Sequence, residues 1–194
     1  ITPSQWSRDG LLRRGIPPRQ IAVIPPGVDP EIFKPATPER RAELRATLDW
    51  DYYFVFLHVG DLGSAGGVRP LLKAFAAVVE AYPHARLVLK GTHPQQSENA
   101  LLEACRDILD DKEARRVQPR LAFVGDTLSF GGLATLYQAA DACVSPDVAP
   151  GMGLPILEAG ACGLPIIYTA GSPAQDWTHP DFALPILSQF RTLV

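Results

Sequence analysis

Two glycine-rich stretches hold the residue types that could do chemistry. The first is Val59-Gly60-Asp61-Leu62-Gly63-Ser64-Ala65-Gly66-Gly67-Val68. Glycine accepts positive φ and lets a backbone approach a ligand closely. A helix that starts there adds unpaired N–H groups at its positive dipole end, which suits a diphosphate. The spacing is neither the Gly-x-Gly-x-x-Gly of a dinucleotide site nor the Gly-Lys-Ser/Thr of a triphosphate loop, and a tight turn alone would also account for it. The second stretch is Ser145-Pro146-Asp147-Val148-Ala149-Pro150-Gly151-Met152-Gly153-Leu154-Pro155-Ile156-Leu157-Glu158-Ala159. Pro155 suits the first turn of a helix. Glu158 is expected in that same turn, near the open mouth of a sheet. A carboxylate there accepts hydrogen bonds from vicinal hydroxyls, as acidic residues do with ribose. It would equally suit a surface glutamate placed against the helix dipole, and the residues alone leave both readings open.

Cations are the next requirement of a diphosphate site. Lys90, ahead of Gly91, is expected to project into the same rim, with Arg69 and Lys73 as further candidates and a solvated strand-end lysine as the alternative. His58, beside Val59-Gly60, reads as a satisfied core histidine rather than an acid or base. No Ser or Thr has a companion His/Asp arrangement of the hydrolase kind.

The elements that must position these residues follow from periodicity. Short apolar runs at Gln20–Ile24, Tyr52–Gly60, Ala85–Leu89, Arg120–Val124, Ala142–Val144 and Ile166–Tyr168, with a candidate seventh at Phe182–Ile186, read as strands. Helical stretches at Val68–Ala81, Ser97–Leu109, Gly132–Ala140 and Leu154–Cys162 alternate with them. The pattern predicts an α/β Rossmann-like fold, a doubly wound parallel sheet with helices on both faces. Tyr52 to Val59 is nearly all apolar, as a strand buried on both faces should be, and is expected at the centre. Leu71, Leu72, Phe75, Val78 and Val79 form one stripe facing the sheet. Pro83 and Gly163-Leu164-Pro165 are stop signals. Pro35–Asp49, rich in Glu and Arg, reads as an exposed helical connection whose charges are solvated. The stiff turn Ile24-Pro25-Pro26-Gly27-Val28-Asp29-Pro30 is placed at a strand's C-terminal end, where open α/β sheets hold ligands.

The chain has 194 residues, 46% of them hydrophobic and 20% charged. That suits one folded domain and excludes disorder. A formal net charge of −3 offers no field for nucleic acid, so an anion site must be built locally. Cys105, Cys143 and Cys162 lack metal-site spacing and read as reduced thiols of a cytoplasmic protein. No stretch is long and apolar enough to span a bilayer. The first residue is Ile1, and Phe190 to Val194 reads as part of an apolar helix, so the expectation is a piece of a longer protein.

An ordered set of motifs resembles the C-terminal, donor-binding domain of glycosyltransferase family 4 (group 1). It comprises Pro26-Gly27-Val28-Asp29, Phe33-Lys34-Pro35, Val59-Gly60, Gly67, Phe75, Phe123-Val124-Gly125, Leu136-Tyr137-Gln138-Ala139-Ala140-Asp141, Gly151 to Ala159 and Ala161-Cys162-Gly163-Leu164-Pro165. The resemblance covers nearly the whole chain. It implies half of a GT-B enzyme, with a missing N-terminal acceptor-binding domain, a nucleotide-sugar donor as substrate, retention of anomeric configuration and no metal. Membrane association would come only through the missing part. It also implies that Gly151, Gly153 and Leu154 present a helix N-terminus to the diphosphate and that Glu158 binds ribose. Gly60 and Gly67 would complete the donor site, with Gly125, and Asp126 or Thr127, beside the base, and Lys90, by its position, is the first candidate to substitute for the family's cations. The family's first acidic residue falls at Pro150 and its basic pair at Asp61 and Gly66, so the expected cations are absent. Losing such electrostatic stabilisation of a leaving group costs about 10²–10³ in rate per donor. The competing expectations are a catalytically degenerate glycosyltransferase-like scaffold or regulatory domain and, less well supported, a nucleotide-sugar epimerase of the same fold.

Overall fold

The computed structural model describes residues 1–63, 67–91, 105–147 and 152–188. The helices are α1 (Gln5–Arg13), α2 (Pro38–Thr47), α3 (Val68–Ala81), α4 (Asp111–Val117), α5 (Phe130–Ala139) and α6 (Leu154–Ala161). The strands are β1 (Phe54–Gly60), β2 (Ala85–Gly91), β3 (Leu121–Val124), β4 (Ala142–Ser145), β5 (Ile166–Thr169) and β6 (Ala183–Ile186). All six strands run parallel in the order β3-β2-β1-β4-β5-β6. This is the doubly wound, Rossmann-like α/β sheet. The chain winds outward from β1 in one direction and from β4 in the other, so the topological switch point lies between them.

Alternation along β1 explains the two covered faces. Val55, Leu57 and Val59 join a core with Leu136, Tyr137, Ile156 and Ala159 from α5 and α6. The other face gathers Leu87, Leu89 and Val144 under Val68, Leu72, Phe75, Ala76 and Val79 of α3. The apolar stripe expected in α3 therefore packs as its spacing dictates. Gly163, at φ +81, and Pro165 end α6 as the stop signal predicts.

Several expectations are corrected. β1 begins at Phe54, because Tyr52 lies outside it and is 83% exposed. Gln20–Ile24 is not a strand of the sheet: Pro18–Gln20 forms a short 3-10 turn, and Val23 bridges only Thr2. The proline-rich turn after it is therefore not at a sheet edge that binds ligands. The Pro35–Asp49 connection does contain a helix, but its charges are not all solvated. Arg41 and Arg45 both bind Asp141, and Arg45 is only 9% exposed. Of the Ser97–Leu109 helix, residues 105–108 are helical and the earlier ones lie outside the described set, as does the Phe190–Val194 stretch.

Cys105, Cys143 and Cys162 are buried and unpaired. Burial pushes the Cys143 thiol up to about 12 and that of Cys162 to about 11, so neither carries thiolate at neutral pH. No described helix is long and apolar enough to cross a membrane.

Candidate functional site

The C-terminal rim of the sheet lacks side chains where β3, β2 and β1 end. Gly60 stands in register with Gly91, and Gly125 follows Val124, the partner of Lys90. Glycines thus stand at one level at or just past the ends of three neighbouring strands, Gly91 buried, Gly60 partly exposed and Gly125 exposed, a shelf without side chains. Gly91 is the member that sequence reasoning missed, since its alignment with Gly60 arises only from strand pairing. Gly125, Asp126 and Thr127 are exposed beyond β3.

Both switch-point turns deliver a helix N-terminus to this rim. α1, α2, α4 and α5 are capped by the side chains of Ser4, Thr37, Asp110 and Ser129. α3 and α6 instead start on Gly67 and Gly153, at φ 65 and 73, with no side-chain cap. At α6, Pro155 has no N–H and the Ile156 and Leu157 N–H groups donate to the Gly153 carbonyl, so the Leu154 N–H is the one left at the helix start without a partner among the described residues. Gly67 also has a steric reason. A Cβ there would sit 2.1 Å from the Pro146 carbonyl oxygen, so the two turns touch through a position that admits no side chain. Gly67→Ala is expected to cost about 2 kcal/mol through left-handed strain and displacement of Pro146. A thermal melt should read that as a drop of about 4–8 °C.

Beside Gly153 lies Trp177, whose indole Nε1 comes within 3.5 Å of the point a Cβ would occupy. That N–H is buried and has no hydrogen-bond partner among the described residues. The mouth of α6 therefore holds two such donors, the Trp177 indole N–H and the Leu154 N–H. Leu154 opens this helix and Pro155 lies in its first turn, as expected. Glu158 does not: with the helix starting at Leu154 it is the fifth residue, one turn in, which removes the dipole explanation. It is 9% exposed and accepts a 2.9 Å hydrogen bond from the Tyr137 hydroxyl of α5. Burial raises the Glu158 carboxyl above its usual range, and the Tyr137 bond partly opposes this. Burial also drives the Tyr137 hydroxyl well up, so it remains a donor.

Lys90 is not the solvated strand-end lysine that the alternative envisaged. It is 8% exposed, and its ammonium donates to the Gly91 carbonyl, with no carboxylate beside it among the described residues. Arg69 and Lys73 are turned elsewhere: Arg69 pairs with Asp107 at 3.7 Å and Lys73 with Glu113 at 2.5 Å. Asp61 accepts from the Gly63 N–H at 3.0 Å. Gly66, Pro150 and Gly151 lie outside the described residues.

His58 is only half satisfied. It is fully buried, its Nδ1 lies 2.9 Å from the Val144 carbonyl, and its Nε2 has no partner among the described residues. Since a carbonyl can only accept, Nδ1 carries the proton. Two concavities of about 300 and 370 Å³ lie away from all this, where the strands begin, around Arg41 and Asp141 and around Phe54 and Tyr82. The second is almost wholly apolar, and neither gathers the convergent donors of the rim.

The switch-point rim matches a known family. The profile of Glycosyl transferases group 1 covers residues 53–180, from just before β1 to beyond β5. The chain belongs to the group 1 glycosyl transferases. It is 32% identical over 157 residues to the D-inositol 3-phosphate glycosyltransferase of Segniliparus rotundus, covering 77% of this chain and 32% of that protein. Anabaena HepE in complex with UDP superposes with a TM-score of 0.78 at 23% identity, over 96% of this chain and 49% of that one. Sucrose-phosphate synthase of Thermosynechococcus elongatus gives 0.73 at 30% identity, over 96% and 44%. The chain thus spans about a third of the length of the curated relatives it matches. In this group 1 domain, the shelf and the two uncapped helices occupy the place where an open α/β sheet binds ligands.

Proposed function

We propose that this domain binds the nucleotide-activated sugar donor of a retaining, metal-independent glycosyltransferase whose acceptor side lies in a separate N-terminal domain. The observation that carries the reading is the uncapped start of α6 beside the buried Trp177 indole N–H, which has no hydrogen-bond partner among the described residues. The Lys90 ammonium, bonded to the Gly91 carbonyl, adds a positive charge at the end of β2. A diphosphate would supply an anionic acceptor for these groups. Lys90 would take over from the family cations displaced by Asp61 and Gly66. Glu158 sits one turn inside α6, where a ribose following the diphosphate would meet it, and the Gly60-Gly91-Gly125 shelf leaves room for the base. HepE is described in complexes with UDP and with UDP-glucose, which supports the same class of ligand here. Membership of group 1 supports glycosyl transfer as the reaction of the whole protein, and a cytoplasmic setting is part of the same reading.

The test is calorimetric titration and thermal shift of the domain with UDP, GDP, ADP and their hexose conjugates. One nucleotide is expected to bind and raise the melting temperature. Saturation at 100 times Kd would add about 2.7 kcal/mol of stability. A second reading, a domain that kept the fold and abandoned the donor, is favoured by the acid at Asp61 where the family places a base. Absence of binding by every nucleotide would select it.

A further inference from the structure

The turn between β5 and β6 stands between two helix starts. Asp176 faces the first of them. Its Oδ2 accepts from the Gln5 N–H at 2.5 Å and from the Trp6 N–H at 3.3 Å, while Ser4 Oγ takes the Ser7 N–H and the Ser4 carbonyl takes that of Arg8. The open N–H groups of α1 are therefore all met, two of them by a carboxylate about 170 residues further along the chain. α1 has no acid in its own first turn, so Asp176 also supplies the charge that complements its dipole. The Trp6 indole N–H adds a bond of 2.7 Å to the Gly171 carbonyl, at the start of the same turn. No residue of α1 is buried, so these polar contacts seat the helix. Trp177 faces the second start. The point that a Cβ on Gly153 would occupy lies 3.5 Å from its Nε1 and 3.6 Å from its Cδ1, so the indole walls the left-handed N-cap from which Leu154 opens α6. The turn is anchored unevenly. Ser172, Pro173 and Ala174 are buried, whereas Gln175 is exposed and Asp176 and Trp177 are only partly buried. The end that carries Trp177 is thus held by its own N–H bond to the Ala174 carbonyl and by the grip of Asp176 on α1.

We infer that Asp176 is a positioning residue for the diphosphate site: by capping α1 it fixes the end of the β5–β6 turn, so that Trp177 holds the Gly153 N-cap and the Leu154 N–H in place. The seating of α1 and the occupation of the α6 mouth are thereby coupled. The inference rests on the donor-binding reading and deepens it by naming how that site is regulated. Linkage makes the coupling reciprocal: whatever loosens α1 weakens the ligand, and the ligand steadies α1 by the same factor. Simple electrostatics has the opposite sign, because a negative charge beside an anion site repels the anion and its removal would tighten binding.

The experiment titrates UDP, GDP, ADP and inorganic pyrophosphate into the wild type, Asp176→Ala, Asp176→Asn and Trp6→Phe. Calorimetry gives the affinities, and ¹H–¹⁵N spectra follow the Leu154 amide and the Trp177 indole. Asp176→Ala should weaken the ligand that binds by about five-fold or more. Asp176→Asn removes the same charge but keeps an oxygen for the Gln5 and Trp6 N–H groups, and it should recover most of the loss. Trp6→Phe deletes the bond to the Gly171 carbonyl and should weaken the ligand too, so a folding failure of one variant leaves the other to decide. At saturation the ligand should slow amide exchange of Gln5 and Trp6 in the wild type. Unchanged or tighter binding in Asp176→Ala and Trp6→Phe overturns the inference and leaves Asp176 a cap of α1 alone. If no ligand binds the wild type, the donor reading fails separately, and the spectrum of Trp6→Phe decides the coupling. Displaced Leu154 and Trp177 resonances support it, and unmoved ones overturn it.

Discussion

Replacing Glu158 with glutamine is expected to lower affinity for the bound nucleotide about ten- to hundred-fold while leaving the melting temperature nearly unchanged. Ribose hydroxyls bond more strongly to a carboxylate than to an amide, and hydrogen bonds to a charged acceptor are worth about 1.5–3 kcal/mol each. The amide oxygen can still accept from Tyr137, which donates to Glu158 at 2.9 Å, so the fold keeps its contact. Glu158→Ala is a harsher test, because it strands a buried Tyr137 hydroxyl at a cost of about 1–3 kcal/mol. Titration across pH adds a signature. Burial holds the Glu158 carboxyl above the usual range, so nucleotide affinity should fall as pH drops through that raised value, at a higher pH than an ordinary glutamate would give. The stability effect has the opposite sign. A raised carboxyl binds its proton more tightly folded than unfolded, so its stabilising contribution is full below the unfolded value and lost as pH rises through the folded one. Wild-type affinity that rises with pH, against a flat profile in Glu158→Gln, would assign the dependence to this carboxyl. Equal affinity of the two proteins would reduce Glu158 to a partner of Tyr137.

The parts of this site that could be read in the sequence are those with local causes. Glycines at 60, 67 and 153, Pro155 and the stop at Gly163 each act through their own backbone, and the apolar stripe of α3 needs only its spacing. What eluded the sequence depends on pairing between distant segments. Gly91 joins the shelf because β1 and β2 align it with Gly60. Glu158 finds Tyr137 across 21 residues, and Arg45 finds Asp141 across 96. Gln20–Ile24 has a strand's composition, but a strand needs a neighbour, and Val23 meets only Thr2. Burial of Lys90 removes the solvated alternative and leaves its expected place at the end of β2, whereas His58, expected as a satisfied core histidine, keeps an Nε2 without a partner among the described residues.

Asp141→Ala is expected to be the most destabilising change, costing about 3–5 kcal/mol because it leaves buried charge without its partner. For a domain of this size that corresponds to a melting temperature lowered by roughly 6–20 °C in calorimetry. Asp141 accepts from Arg41 at 2.6 Å, from Arg45 at 2.9 Å and from the Val55 N–H at 2.8 Å, while its own N–H donates to the Val55 carbonyl. Arg45 is further tied to the carbonyls of Ala139, Trp50 and Tyr53, so it cannot swing out to water when its counter-ion is removed. By contrast, breaking the exposed Arg40–Glu43 pair should cost less than about 1 kcal/mol. The reason this one carboxylate matters so much lies in the sheet. β1 shares seven register pairs with β2 but only two with β4, Phe56 with Ala142 and Leu57 with Cys143. The switch-point seam is therefore thin in backbone bonds. Asp141 closes it where the strands begin, and the His58 imidazole, bonded across to the Val144 carbonyl, spans it near the rim. The seam is thus clasped below by a charge network and bridged above by one side chain. Asp141→Ala should accordingly lower stability while leaving the nucleotide affinity of the remaining folded protein within about two-fold, since distant sites without shared partners act independently. A large loss of affinity instead would mean that the seam transmits strain from its lower clasp to the rim.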